Sequence, residues 1–109
     1  FTTCHNDLNP WNVIVTEARW ETIDWEFVGN HDPLFDLITL HQGLNLPAEE
    51  LFVMCPELDP KSTRTRIEAN IKNYWLREGG WAKYQIQQGN NREEIRTQLE
   101  NAQAKVDAL

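Results

Sequence analysis

Apolar residues along this chain come first in short strand-like runs and then at helical spacing. Val13–Thr16 is apolar and β-branched, Glu17–Arg19 is polar, and Trp20–Ile23 again suits a strand, a pattern that predicts a hairpin. From Pro33 to Gln42, Leu34, Leu37, Ile38 and His41 recur at helical spacing, with Asp32 as N-cap and Pro33 at the first helical position. Pro47 opens a short helix through Met54, with Glu49 and Glu50 in its first turn. A loop follows over Cys55–Pro60, and Asp59 caps a helix over Pro60–Arg77 that carries Ile67, Ile71, Tyr74 and Trp75. Gly79-Gly80 is expected to break that helix and leave a separate piece over Trp81–Gln88. After the turn at Gly89-Asn90, Asn91 with Glu94 three residues on predicts a capping box for a final helix, Arg92–Ala108. One hairpin followed by helices is an α+β chain, mostly α. Its 109 residues suit a single unit over 1–109 with one modest core.

Charge sharpens this picture. The net charge is −7, and it is uneven: through Pro60 the only Lys or Arg is Arg19, against eleven Asp and Glu. Such a segment repels nucleic acid and favours a divalent cation or a cationic small molecule. No apolar run approaches the ~20 residues of a membrane span, so no membrane partner is expected. Cys4 and Cys55 are too few for a disulfide framework and lack metal-ligand spacing. Reduced structural thiols in a cytoplasmic protein are expected.

The chemistry sits in the first 26 residues. His5-Asn6-Asp7-Leu8-Asn9-Pro10-Trp11-Asn12 has the form His-x-Asp-x-x-x-x-Asn, and Ile23-Asp24-Trp25-Glu26 follows the hairpin. A Mg·ATP phosphotransferase needs a carboxylate for the proton of the attacking hydroxyl, and an amide oxygen and a second carboxylate to hold Mg²⁺ against the phosphates. Asp7, Asn12 and Asp24 suit those roles in that order. Folding the hairpin back brings its two ends together, and with them all three residues. No glycine-rich phosphate loop is present, since Gly29, Gly43, Gly79, Gly80 and Gly89 do not cluster before a helix.

The segment His5–Asn12 resembles the catalytic loop of the kinase-like superfamily. Ile23-Asp24-Trp25-Glu26, followed by Gly29-Asn-His-Asp-Pro-Leu-Phe-Asp-Leu37, is similar to its small-molecule branch of aminoglycoside phosphotransferases, choline kinases and bacterial thiamine kinases. Protein kinases usually carry Lys where Asn9 stands and Asp-Phe-Gly where Asp24-Trp25-Glu26 stands, and no Ala-Pro-Glu segment follows. Glu78-Gly-Gly-Trp-Ala-Lys-Tyr-Gln85 resembles the tail of bacterial thiamine kinases. The resemblance implies a protein-kinase-like C-terminal lobe whose N-terminal lobe, with its ATP-binding lysine, is missing from these 109 residues. It implies a Mg²⁺- and ATP-dependent kinase acting on a small cationic acceptor, thiamine first, with choline or ethanolamine and an aminoglycoside as alternatives. Alone, a chain opening at Phe1 is expected to be inactive. A non-catalytic, pseudokinase-like binding fragment is the rival of a different class.

Other residues divide between chemistry and support. His5 is expected to hold the loop's shape. Asp36, an acid on the core side of a helix, would brace the catalytic loop through backbone N–H groups, by resemblance. Glu26 suits either the metal and substrate or a cap on the next loop. Tyr74, Trp75, Trp81 and Tyr84 flank Gly79-Gly80 and could form an aromatic acceptor pocket, or simply core. Trp11 and Trp25 are expected to wall the site.

Overall fold

The computed structural model describes residues 2–109, with backbone alone at positions 48, 54, 60 and 62. In chain order the elements are β1 (Thr2–Cys4), a 3-10 turn (Pro10–Asn12), β2 (Val13–Val15), β3 (Trp20–Thr22), β4 (Gly29–His31), α1 (Leu34–Gly43), α2 (Ala48–Met54), α3 (Pro60–Gln87) and α4 (Glu93–Asp107). The chain is thus mostly helical α+β. It packs as two compact units, the first ending at Ile71 and the second spanning Lys72–Leu109.

In the first unit, β2 and β3 form the expected hairpin, with Val13 opposite Thr22 and Val15 opposite Trp20. Thr16 closes it: its hydroxyl donates to the Arg19 carbonyl at 3.0 Å and accepts from the Arg19 N–H at 3.1 Å. A second antiparallel pair, β1 with β4, joins Cys4 to Gly29 and Thr2 to His31. These three-residue strands carry no alternation long enough to be seen in sequence. Leu34, Ile38, Leu51 and Ile67 make the core, with Leu37, Phe52, Leu58 and Ile71 packed around it. The apolar face of α1 is therefore buried against α2 and the start of α3, as its spacing implies. Asp32 caps α1, its carboxylate accepting the Leu34 N–H at 3.0 Å. Asp59 does the same for α3 through the Lys61 N–H at 3.1 Å.

By contrast, the stretch from Trp11 to Val28 leaves eight large apolar side chains exposed, among them Trp11, Trp20, Trp25 and Phe27.

Two local expectations are corrected. Gly79-Gly80 does not break α3, which runs unbroken from Pro60 to Gln87. Each helical glycine costs about 1 kcal/mol relative to alanine, but burial of Trp75, Ala82, Ile95 and Ala102 within the second unit offsets it. Gly79 also lets α4 approach, since a Cβ there would lie 3.3 Å from the Ala102 Cβ. Nothing lies within 4 Å of a Cβ at Gly80. Gly80→Ala is accordingly expected to stabilise the protein by about 0.5–1 kcal/mol, whereas Gly79→Ala gains less or nothing; urea midpoints of the two variants check this. The capping box at Asn91 and Glu94 does not form either. The N-cap of α4 is Arg92, without a side-chain cap, so Asn91 falls one residue too early to reach the first free N–H groups. No helix among the described residues is long and apolar enough to cross a membrane.

Candidate active site

The loop between β1 and β2 is held from three sides. From α1, the Asp36 carboxylate accepts the His5 N–H and the Asn6 N–H, both at 2.8 Å. From the segment before β4, the Phe27 carbonyl accepts the Asn6 side-chain amide at 2.9 Å. From within, the His5 ring accepts the Asp7 N–H on Nδ1 at 3.1 Å. Because Nδ1 is an acceptor there, Nε2 carries the proton and donates to the Ile23 carbonyl at 2.7 Å. His5 is buried, and it links the backbone of Asp7 to the residue preceding Asp24.

Asp7 and Asn12 are joined directly. The Asn12 amide Nδ2 donates to the Asp7 carbonyl at 2.8 Å and lies 3.4 Å from its Oδ2. Since a carbonyl only accepts, Nδ2 must be the atom facing Asp7, which leaves Oδ1, the amide's acceptor atom, turned away from it. Asn9 accepts the Trp11 N–H at 3.0 Å to cap the 3-10 turn, and its Nδ2 lies 3.4 Å from Asp7 Oδ1. The Ile23 N–H then donates to the Asn12 carbonyl at 2.9 Å, one step beyond the Val13–Thr22 pair. Asp24 follows at once, in a left-handed conformation with φ of 59°. Asn6 is left-handed too, with φ of 69°. Non-glycine residues held in this region cost energy and tend to gather at functional sites, with Asn and Asp the most tolerant.

Asp24, Trp25 and Glu26 lie at the surface. Trp25 packs its ring on His5, centroids 4.5 Å apart, while its Nε1 donates to the Thr22 carbonyl at 3.1 Å. Glu26 occupies a turn closed by the Val28 N–H on the Trp25 carbonyl. Among the described residues, no three His, Cys, Asp or Glu side chains gather in metal-binding positions. A site made from Asp7, Asn12 and Asp24 would offer two carboxylates and an amide. That hard-oxygen set suits Mg²⁺, which takes few protein ligands beside phosphates and water.

Asp32 ties this platform to α3. Arg66 reaches it with a two-pronged contact, Nη2 to Oδ1 at 2.6 Å and Nε to Oδ2 at 3.2 Å, and Asn70 Nδ2 adds a bond at 3.2 Å. The Arg66 hydrogen bonds hold the Asp32 carboxyl down at about 2, against the opposing effect of burial. A carboxyl depressed when folded stabilises the protein above its unfolded value, near 3.8, and loses that contribution as pH falls toward 2. Because Arg66 is half exposed, with 51% of its side chain accessible, the contribution is about 1–2 kcal/mol. Asp32→Asn should remove the part of the acid-unfolding curve between about pH 4 and 2; urea midpoints measured against pH test it.

In the second unit, Tyr74 and Trp75 are buried and meet edge to face with centroids 4.8 Å apart. Lys105 Nζ lies 5.6 Å from the centre of the Trp75 ring, so that face already carries an internal cation. Trp81 and Tyr84 are exposed one turn apart.

Asn6, Asn9 and the Ile23 carbonyl carry much of the site's architecture, yet carried no signal in sequence beyond residence in the motif. Arg66 and Asn70 had none, because their partner lies more than thirty residues away.

A polar loop and a hairpin end are thus tied through His5 and braced by a helix acid. The chain belongs to the phosphotransferase enzyme family, whose model matches residues 1–85. Protein LicA of Haemophilus influenzae (strain ATCC 51907 / DSM 11121 / KW20 / Rd) is 46% identical over 46 residues, 42% of this chain and 17% of the relative. A second Haemophilus influenzae protein LicA shows the same 46% identity over 46 residues, 14% of its length. The match thus spans about a sixth of these curated relatives. No solved structure matches the chain.

Proposed function

We propose that the complete gene product transfers the γ-phosphoryl group of ATP to a hydroxyl of a small cationic molecule, with thiamine the first acceptor to test. Choline or ethanolamine and an aminoglycoside are alternatives within the same chemistry. The observation that carries the reading is the bonded set at the loop: Asp7 and Asn12 linked through the Asn12 amide, and Ile23, just before Asp24, tied to both His5 and Asn12.

In this reading the Asp7 carboxylate accepts the proton of the acceptor hydroxyl as its oxygen attacks the γ-phosphorus. The bond from that phosphorus to the bridging oxygen breaks, and ADP leaves. Asn12 Oδ1 and the Asp24 carboxylate would hold Mg²⁺, which when bound neutralises phosphate charge; Glu26 is a further candidate for the metal or the acceptor. His5 and Asp36 act as positioning residues that fix the loop. Trp81 and Tyr84, exposed on one side of α3, suit a cationic ring or quaternary amine at roughly 0.5–2 kcal/mol per contact. Tyr74 and Trp75, the other two aromatics of this segment, are buried. The acidic first sixty residues favour such an acceptor over an anionic one.

The apolar surface of Trp11–Val28 suits a nucleotide-binding lobe contributed by the rest of the complete enzyme. A consumer of ATP with two free thiols suits the cytoplasm.

The test is acceptor-dependent ADP formation by the complete gene product with thiamine, choline and kanamycin side by side. Turnover with one of them selects the acceptor. Folded protein that binds Mg·ATP and turns over none of these acceptors would sink the cationic-acceptor reading in favour of a non-catalytic binding protein.

A further inference from the structure

Gly43, the last residue of α1, is not needed for its backbone: its φ lies outside the left-handed region that favours glycine, unlike Gly89 at +93°. What requires it is space. A Cβ on residue 43 would lie 2.7 Å from Cδ and 3.4 Å from Cγ of Pro10, and 3.9 Å from Cβ of Asn9. Carbon atoms in favourable contact sit about 3.5–4.0 Å apart. The proline ring is rigid, so it has no flexible end that could swing aside.

Pro10 opens the 3-10 turn that Asn9 caps and Asn12 ends. Asn9 and Asn12 are also the two residues whose amides flank the Asp7 carboxylate, one on each oxygen. The seat beneath Pro10 therefore sets where both amides stand. Asp36, two turns earlier on α1, anchors the other end of the same loop at His5 and Asn6. A single helix thus grips the loop on both sides of Asp7, by hydrogen bonds at one end and by close contact at the other.

We propose that Gly43 is a positioning residue for phosphoryl transfer: the bare backbone at the end of α1 lets the Asn9–Asn12 turn seat at the depth that aligns Asn12 with Asp7. The proposal rests on the phosphotransfer reading above. Adding a methyl group would push the turn outward by roughly the 1 Å that costs an enzyme up to about 100-fold when reacting groups are displaced.

The experiment uses the complete gene product in four forms: wild type, Gly43→Ala, Pro10→Ala and the double variant. Amide hydrogen exchange across Asn9–Asn12 and at Ile23 is read by mass spectrometry. In parallel, kcat and KM are measured with Mg·ATP and whichever of thiamine, choline and kanamycin turns over. Gly43→Ala should speed exchange in that segment and lower kcat by roughly 10–100-fold with little change in KM. In the double variant the colliding ring atoms are gone, so both readouts should return to those of Pro10→Ala alone. Unchanged exchange in Gly43→Ala, or a double variant no better than Gly43→Ala, overturns the proposal. Failure of every acceptor in wild type counts against the phosphotransfer reading instead, and the exchange comparison still decides whether residue 43 seats the turn.

Discussion

Asp7→Asn in the complete gene product is expected to lower kcat by roughly 10²–10⁴-fold, the range that a positioned general base contributes. The substitution keeps size and leaves a carbonyl oxygen for one of the two amides, of Asn9 and Asn12, that approach separate oxygens of the native carboxylate at 3.4 Å each. The loop remains held at its start by Asp36 and the His5 ring and at its end by the Pro10 seat on Gly43, so the fold and the affinity for Mg·ATP should survive. On the proposed mechanism, what disappears is the capacity to take a proton from the acceptor hydroxyl. ADP formation at saturating acceptor, alongside nucleotide binding by calorimetry, separates the two effects. A variant that keeps wild-type kcat would remove Asp7 from the chemistry.

Asp36→Ala should damage both stability and activity. Two backbone N–H groups, of His5 and Asn6, now donate to one carboxylate at 2.8 Å, and charge-assisted bonds of this length are among the stronger ones in proteins. Removing the acceptor strands both donors in a partly buried loop, at a cost of roughly 3 kcal/mol. His5 would then no longer be pinned between the Asp7 N–H and the Ile23 carbonyl. Activity should fall with stability, whereas Asp36→Asn, which keeps one acceptor oxygen, should fall between. Urea midpoints and kcat for the two variants make the comparison. Equal stability for wild type and Asp36→Ala would show that water replaces the brace without loss.

The hairpin, α1, α2 and the caps at Asp32 and Asp59 were legible because each rests on local pattern: strand-favouring runs, helical spacing, a short acid before a proline. The helix break expected at Gly79-Gly80 fails for a related reason. Local propensity there is poor, and only the packing of α4 against Gly79, together with the burial of Trp75 and Ala82, decides in favour of helix. The β1–β4 pair was invisible because three residues carry too little alternation to signal a strand. The four aromatics around Gly79-Gly80 lie close together in sequence, but burial divides them: Tyr74 and Trp75 go inside and Trp81 and Tyr84 outside.

The sequence by itself determined the chemistry available to this protein. It supplies an acid, an amide and a second acid on either side of a short hairpin, within an acidic segment that favours cations. Tertiary structure alone decided how those groups are held: His5 as an Nε2–H tautomer spanning two loops, Asp36 on two N–H groups, Asp32 gripped by Arg66 and Asn70, and Gly43 cleared for Pro10. The division has a physical cause. Reactive groups are fixed by residue type and short spacing, which a sequence displays directly. Their alignment depends on hydrogen bonds and contacts between residues about thirty positions apart, which exist only once the chain has folded.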